Sequence, residues 1–123
     1  MIYGIGTDII KIERIKNAAE KWGDSFVEKI LTASEISYCY GKNDPHPSLA
    51  VRFAAKEALI KAIGGEVPVN MKDIEILNDT KGKPSLKVSN KLKAFFEEKK
   101  IVGCHLSLSH EKEFGVASVV LEV

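Results

Sequence analysis

The sequence predicts an α+β fold, a single compact domain over residues 1–123 with an antiparallel β-sheet and helices packed against one side. Three observations carry that prediction. The first ten residues and the segment from Gly103 onward alternate as strands. Between them lie stretches with helical periodicity, and no repeat, low-complexity tract or linker divides the chain. At 123 residues the protein is long enough for one real core and too short for two.

Met1 to Ile10 alternate, with Tyr3, Ile5, Thr7 and Ile9 pointing one way and Ile2, Gly4, Gly6 and Asp8 the other. Asp8 therefore stands on a face carved open by two glycines. The G-x-G also invites a dinucleotide-binding fingerprint, but Ile9 stands where its third glycine or alanine belongs and no ribose-binding acid follows in a second βα unit. IERIKNAAEKWGDSFVEKIL reads as helix with a break around Gly23. Thr32 and Glu35 match the S/T-x-x-E capping box and open a short helix through Tyr40. GKNDPHPS is a loop, and Pro47 suits the first turn of the next helix, SLAVRFAAKEALIKAIGG. There Ala50, Ala54, Ala58 and Ala62 form a small-residue stripe that permits close packing, and Gly64 with Gly65 supplies the stop. MKDIEIL and PSLKV read as short strands around the turn-rich NDTKGKP. SNKLKAFFEEKK is a helix with Leu92, Phe95 and Phe96 as its apolar side. The C-terminal segment is a hairpin in which Cys104, Leu106 and Leu108 share one face and His105, Ser107 and Ser109 the other.

Composition excludes several classes of function. With 45% hydrophobic and 28% charged residues, no apolar run approaches the roughly 20 residues that span a bilayer, so membrane insertion is not expected. The N-terminus lacks the features of a secretory signal, and the expected compartment is the cytoplasm. Cys39 and Cys104 have no CxxC partner, which favours reduced thiols over a disulfide or a zinc site. Lys and Arg number 18 against 17 Asp and Glu, so no bulk nucleic-acid binding is expected and any electrostatic docking needs a local patch.

The candidate chemistry centres on RFAAKEALIK, which puts Arg52, Lys56, Glu57 and Lys61 within three turns. Glu57 and Lys61 are i,i+4 neighbours, as are Arg52 and Lys56. The pattern describes either a solvated face with ordinary ion pairs, or three cations flanking one carboxylate, as a pyrophosphate and its metal require. Asp8 and Glu57 together offer two hard oxygen ligands, which suits Mg²⁺, a cation that keeps several waters and takes one or two carboxylates plus phosphate oxygens. His46, His105 and His110 lack HExxH spacing, so zinc hydrolysis has little support. Ser107, Ser109 and His110 lack a G-x-S-x-G elbow, and anion binding at the strand end is the better use for them. His105 reads as structural and Trp22 as a partly buried packing residue. Hydrolysis of a nucleotide diphosphate and ligand binding without turnover remain as other classes that two carboxylates and several cations can serve.

GIGTDIIKIERI, RFAAKEALIKA, GKP and SLSH, in this order across essentially the whole chain, together resemble the holo-[acyl-carrier-protein] synthases, the small phosphopantetheinyl transferases. The resemblance implies Mg²⁺-dependent transfer of 4′-phosphopantetheine from coenzyme A to a serine of apo acyl carrier protein, in support of fatty acid biosynthesis. Adenosine 3′,5′-bisphosphate would be released. It makes Asp8 and Glu57 the metal ligands and Lys61 a pyrophosphate contact, the three catalytic residues. Arg52, Ser109 and His110 fall at the 3′-phosphate, Gly82, Lys83 and Pro84 on the adenine side, and Lys42 near phosphate. On this view Gly4 and Gly6 keep bulk away from Asp8, so that metal, diphosphate and serine share the space. Ile10 replaces an acid found in larger two-repeat relatives, so water is expected at that metal position. The expected general base is a water held by Asp8 or Glu57. The resemblance also implies a homotrimer with active sites between subunits, and an Arg14 that grips an acidic helix of the carrier. Lys21 joins Arg14 by helical spacing alone.

Overall fold

The structure, a computed structural model, describes all residues from Met1 to Val123. In chain order the elements are β1 (Ile2–Lys11), α1 (Ile12–Trp22), α2 (Asp24–Ile30), α3 (Ala33–Tyr40) and α4 (His46–Ile63). A 3₁₀ turn at Met71–Asp73 follows, then β2 (Ile74–Asn78), β3 (Pro84–Val88), α5 (Asn90–Glu98), β4 (Gly103–His110) and β5 (Phe114–Glu122). The antiparallel strands fall into two sheets, one ordered β1-β5-β4 and one formed by β2 with β3. Helix α4 lies across one face of the three-stranded sheet, against β1 and β5 above all.

Local chemistry explains most boundaries. Gly23 takes a φ of 61°, which separates α1 from α2. Thr32 accepts from the Glu35 backbone and the Glu35 side chain accepts from Thr32 N at 2.8 Å, so the predicted capping box is formed. Pro47 sits in the first turn of α4, and Gly64 ends that helix in the left-handed conformation. MKD, read from sequence as the start of a strand, instead forms the 3₁₀ turn, because Asn70 and Asp73 cap one another reciprocally.

The alanine stripe is the hinge of the architecture. Ala50, Ala54, Ala58 and Ala62 are all buried. A Cβ at Gly6 would lie 1.7 Å from the Ala58 carbonyl oxygen, and one at Gly4 would lie 2.1 Å from that of Ala62. The glycines therefore do not leave open space beside Asp8, as expected from sequence. They let the backbone of α4 press directly on β1. Two further expectations change. A register shift between Ile2 and Gly4 turns Tyr3 away from the Ile5 face and edge-on to Phe95, with ring centroids 6.4 Å apart. Trp22 is 59% exposed, with the Lys21 ammonium over its ring at 4.8 Å.

The opposite face of the three-stranded sheet is open. Ile5 and Ile9 are 60% and 64% exposed there, beside half-buried Val116 and Val120 of β5. No helix is long and apolar enough to cross a membrane.

Candidate active site

Close contact between β1 and α4 sets Asp8 beside Glu57 and Lys61. Lys61 Nζ donates to Asp8 Oδ1 and to the Thr7 carbonyl oxygen, each at 3.0 Å. Asp8 is largely shielded whereas Lys61 is half exposed. Burial, and then the neighbouring Asp8 charge, hold the Glu57 carboxyl above the ordinary glutamate range, with Lys61 drawing it back. Two carboxylates crowded in a half-buried place are a donor set that a hard cation relieves, and the pair fits Mg²⁺ on that ground. No group of three or more His, Cys, Asp or Glu converges anywhere in the chain, so a cation here takes at most these two side chains. Ile10 is buried in the core and offers it nothing.

Arg52 and Lys56, the other i,i+4 pair, face elsewhere. Lys56 is wholly buried, donating to Glu35 Oε1 and to the Ile30 carbonyl oxygen, each at 2.6 Å. Glu35 Oε2 in turn accepts from Ile76 N at 3.0 Å. Burial pulls the Lys56 ammonium below the usual lysine range even with Glu35 against it. Lys56 is thus no phosphate contact, and the α4 charges are neither a solvated face nor one cluster of three cations.

Arg52 borders a cavity of about 220 Å³ that also meets Lys42, Gly82, Pro84 and His110. Most of the residues assigned to the nucleotide end of the donor are thereby brought together. Lys83 and Ser109 are not. The strand pleat puts Ser109 on the open face of β4, opposite Leu108 and His110, and the Lys83 backbone is bonded to Asp79. The cavity also recruits Tyr38, Ser48 and Asn78, which sequence analysis missed. The Arg52 guanidinium stacks 4.2 Å from the Tyr38 ring centroid and donates through Nη2 to Asn78 Oδ1. Lys42 Nζ lies 4.8 Å from the same ring. The one available signal was the β2–β3 turn itself, whose Asn and Asp shape it.

Asp8, Glu57 and Lys61 do not line this cavity. Asp8 pairs with Ala117, which pairs across β5 with Leu108 of the cavity wall, so they occupy the two edge strands of the sheet. Arg52 and Glu57, five residues apart, point about 140° apart around the helix axis. Arg14 and Lys21 are both exposed on α1.

Comparison with known proteins makes this protein a transferase. The chain belongs to the 4′-phosphopantetheinyl transferase superfamily, whose family model matches residues 4–118. It is 44% identical over 123 residues to a holo-[acyl-carrier-protein] synthase of Halothermothrix orenii, covering 99% of this chain and 98% of the relative. The crystal structure of holo-[acyl-carrier-protein] synthase from Neisseria meningitidis is 39% identical, covers 100% of both chains and superposes with a TM-score of 0.92. A Bacillus anthracis holo-(acyl-carrier-protein) synthase in complex with CoA (3′,5′-ADP) is 42% identical, with a TM-score of 0.81 over 98% of this chain and 96% of that one.

Proposed function

We propose that the protein is a holo-[acyl-carrier-protein] synthase that moves 4′-phosphopantetheine from coenzyme A to a serine of apo acyl carrier protein, with Mg²⁺, in the cytoplasm and in service of fatty acid biosynthesis. The observation that carries this reading is the Asp8–Glu57–Lys61 constellation, on a fold shared with relatives of that activity. The carrier serine Oγ attacks the β-phosphorus of coenzyme A. A P–O bond forms to the serine, the bond to the bridging oxygen breaks, and adenosine 3′,5′-bisphosphate departs with that electron pair. The serine proton leaves to a water held at Asp8 or Glu57. Asp8 and Glu57 would hold Mg²⁺ through their carboxylates, and the ion would supply charge neutralisation at the diphosphate. Lys61 turns its exposed ammonium from Asp8 to the diphosphate, where it steadies charge moving onto the leaving group. Arg52, Lys42 and His110 take the 3′-phosphate, and Gly82 and Pro84 line the adenine. Lys83 and Ser109 contribute less than the resemblance implied.

A homotrimer completes this site. The open face carrying Ile5 and Ile9, and the placement of acid pair and cavity on opposite edges of the sheet, both support neighbouring copies joining one half-site to the other. Arg14 and Lys21 then present cations to the acidic carrier from the helix that follows Asp8.

Intact mass measured after incubation with apo carrier protein, coenzyme A and Mg²⁺ tests the assignment. The carrier serine gains one phosphopantetheine. Free phosphopantetheine produced without carrier would make the protein a hydrolase, and binding without any product would make it a binding module.

A further inference from the structure

The cavity is held together by Asn78, the last residue of β2. Its Oδ1 accepts from Arg52 Nη2, and its Nδ2 donates to the Gly82 carbonyl oxygen at 3.1 Å. A guanidinium can only donate and a carbonyl can only accept, and a short carboxamide serves both at once, with a separate atom for each. The turn beyond is shaped separately by Asp79, whose Oδ1 accepts from Lys81 N and Lys83 N at 2.8 Å each. Asp79 builds the turn; Asn78 fastens it to Arg52.

Arg52 is only 2% exposed, its Nε has no hydrogen-bond partner, and no carboxylate pairs with it. A buried cation left this way is costly on its own and is suited to an anion arriving in the cavity. Asn78 fixes the guanidinium without cancelling its charge, which a carboxylate in its place would do.

We propose that Asn78 is the positioning residue that makes this cavity selective for a nucleotide carrying a 3′-phosphate monoester, by aiming Arg52 with its charge intact and tying it to the turn on the base side. This rests on the reading of Arg52 as the 3′-phosphate contact. The test compares coenzyme A with dephospho-coenzyme A as donors for the parent, Asn78→Ala, Asn78→Asp and Arg52→Ala at saturating apo carrier protein. Asn78→Ala lowers kcat/KM for coenzyme A about tenfold or more, mainly through KM, and lowers that for dephospho-coenzyme A less, so the preference between donors collapses. Asn78→Asp keeps the size of the side chain but neutralises Arg52, and the preference falls at least as far. A merely structural role loosens the turn for both donors alike, so kcat/KM falls equally for coenzyme A and dephospho-coenzyme A and the preference between them is kept. Should Asn78→Ala fail to fold, Asn78→Asp titrated with adenosine 3′,5′-bisphosphate and with adenosine 5′-monophosphate gives the same readout. If Arg52→Ala abolishes the preference while both Asn78 variants keep it, the role of Asn78 is overturned and that of Arg52 stands. If Arg52→Ala also keeps it, both assignments fall.

Discussion

Helix α4 carries two i,i+4 charge pairs, one turn apart, whose fates are opposite. Glu57 and Lys61 lie against β1 in reach of solvent, where Lys61 is tied to Asp8 at 3.0 Å. Arg52 and Lys56 lie on the other side, buried under α3 and β2, where Lys56 is locked to Glu35 at 2.6 Å. Identical spacing yields a solvent-reached acid–lysine pair on one side and, on the other, a structural brace in Lys56 beside a cavity wall in Arg52. What decides is the packing neighbour: β1 brings glycines that admit the helix yet leave its charged turn at the sheet edge, while α3 and β2 close over the rest.

The largest effect that sharpens this contrast is on stability. Lys56→Ala leaves Glu35 buried without its cation and costs about 3–5 kcal/mol, whereas Lys61→Ala breaks a half-exposed pair and costs under about 1 kcal/mol. Urea unfolding of both variants measures the difference; similar losses would erase the distinction between brace and site. Activity gives the mirror image. Asp8→Ala and Glu57→Ala each lower Mg²⁺-dependent turnover by about a hundredfold or more while melting near the parent, because each removes a ligand from an open site. Near-parental rates at low Mg²⁺ in either variant would remove that residue from the metal site.

A smaller effect follows from the raised Glu57 pKa. The folded protein holds this proton more tightly than the unfolded chain does, so the ionised carboxylate opposes folding at neutral pH. That penalty is relieved as pH falls through the raised value toward the ordinary 4.5. Without Mg²⁺, Glu57→Gln is therefore more stable than the parent near neutral pH, and the gap closes on acidification. Melting temperatures in chelator across that range check the sign, and a gap that widens in acid reverses it. The smallest effect lies furthest from α4. Arg14→Glu raises the KM for carrier protein about severalfold with little change for coenzyme A, and added salt shrinks the difference. Equal carrier kinetics at low ionic strength would remove Arg14 from the docking surface.

Much of the frame was legible because it is written in local chemistry. The Thr32–Glu35 box, the Gly23 break, the Gly64 stop and the alanine stripe each declare themselves within a few residues. Asp8, Glu57 and Lys61 were legible as candidates through motif and spacing. Lys56 was not, since its partner Glu35 lies 21 residues away and an i,i+4 pattern is the same in water and in a core. Nor was the purpose of Gly4 and Gly6, which only the carbonyls of Ala58 and Ala62 reveal. Asn78 escaped because a turn asparagine has a sufficient local explanation, and Trp22 because hydrophobicity alone does not say whether a ring finds a neighbour.

Strand β1 ends at Lys11 and α1 begins at Ile12, with no loop between them, and Ile12 N is pinned to the Glu113 carbonyl oxygen at 2.8 Å. Three strand steps and three helix steps separate Asp8 from Arg14 along one stiff path, with about 10 Å of strand rise and about 5 Å of helix rise. The junction works as a calliper. On the proposed docking, one jaw is the carrier's acidic helix gripped at Arg14 and the other is the serine that must arrive beside Asp8. The gap between them is set by backbone rise rather than by the reach of a side chain. A carrier is then admitted by the spacing between its helix and its serine, and a single residue inserted at the junction would reset that gauge without touching either contact.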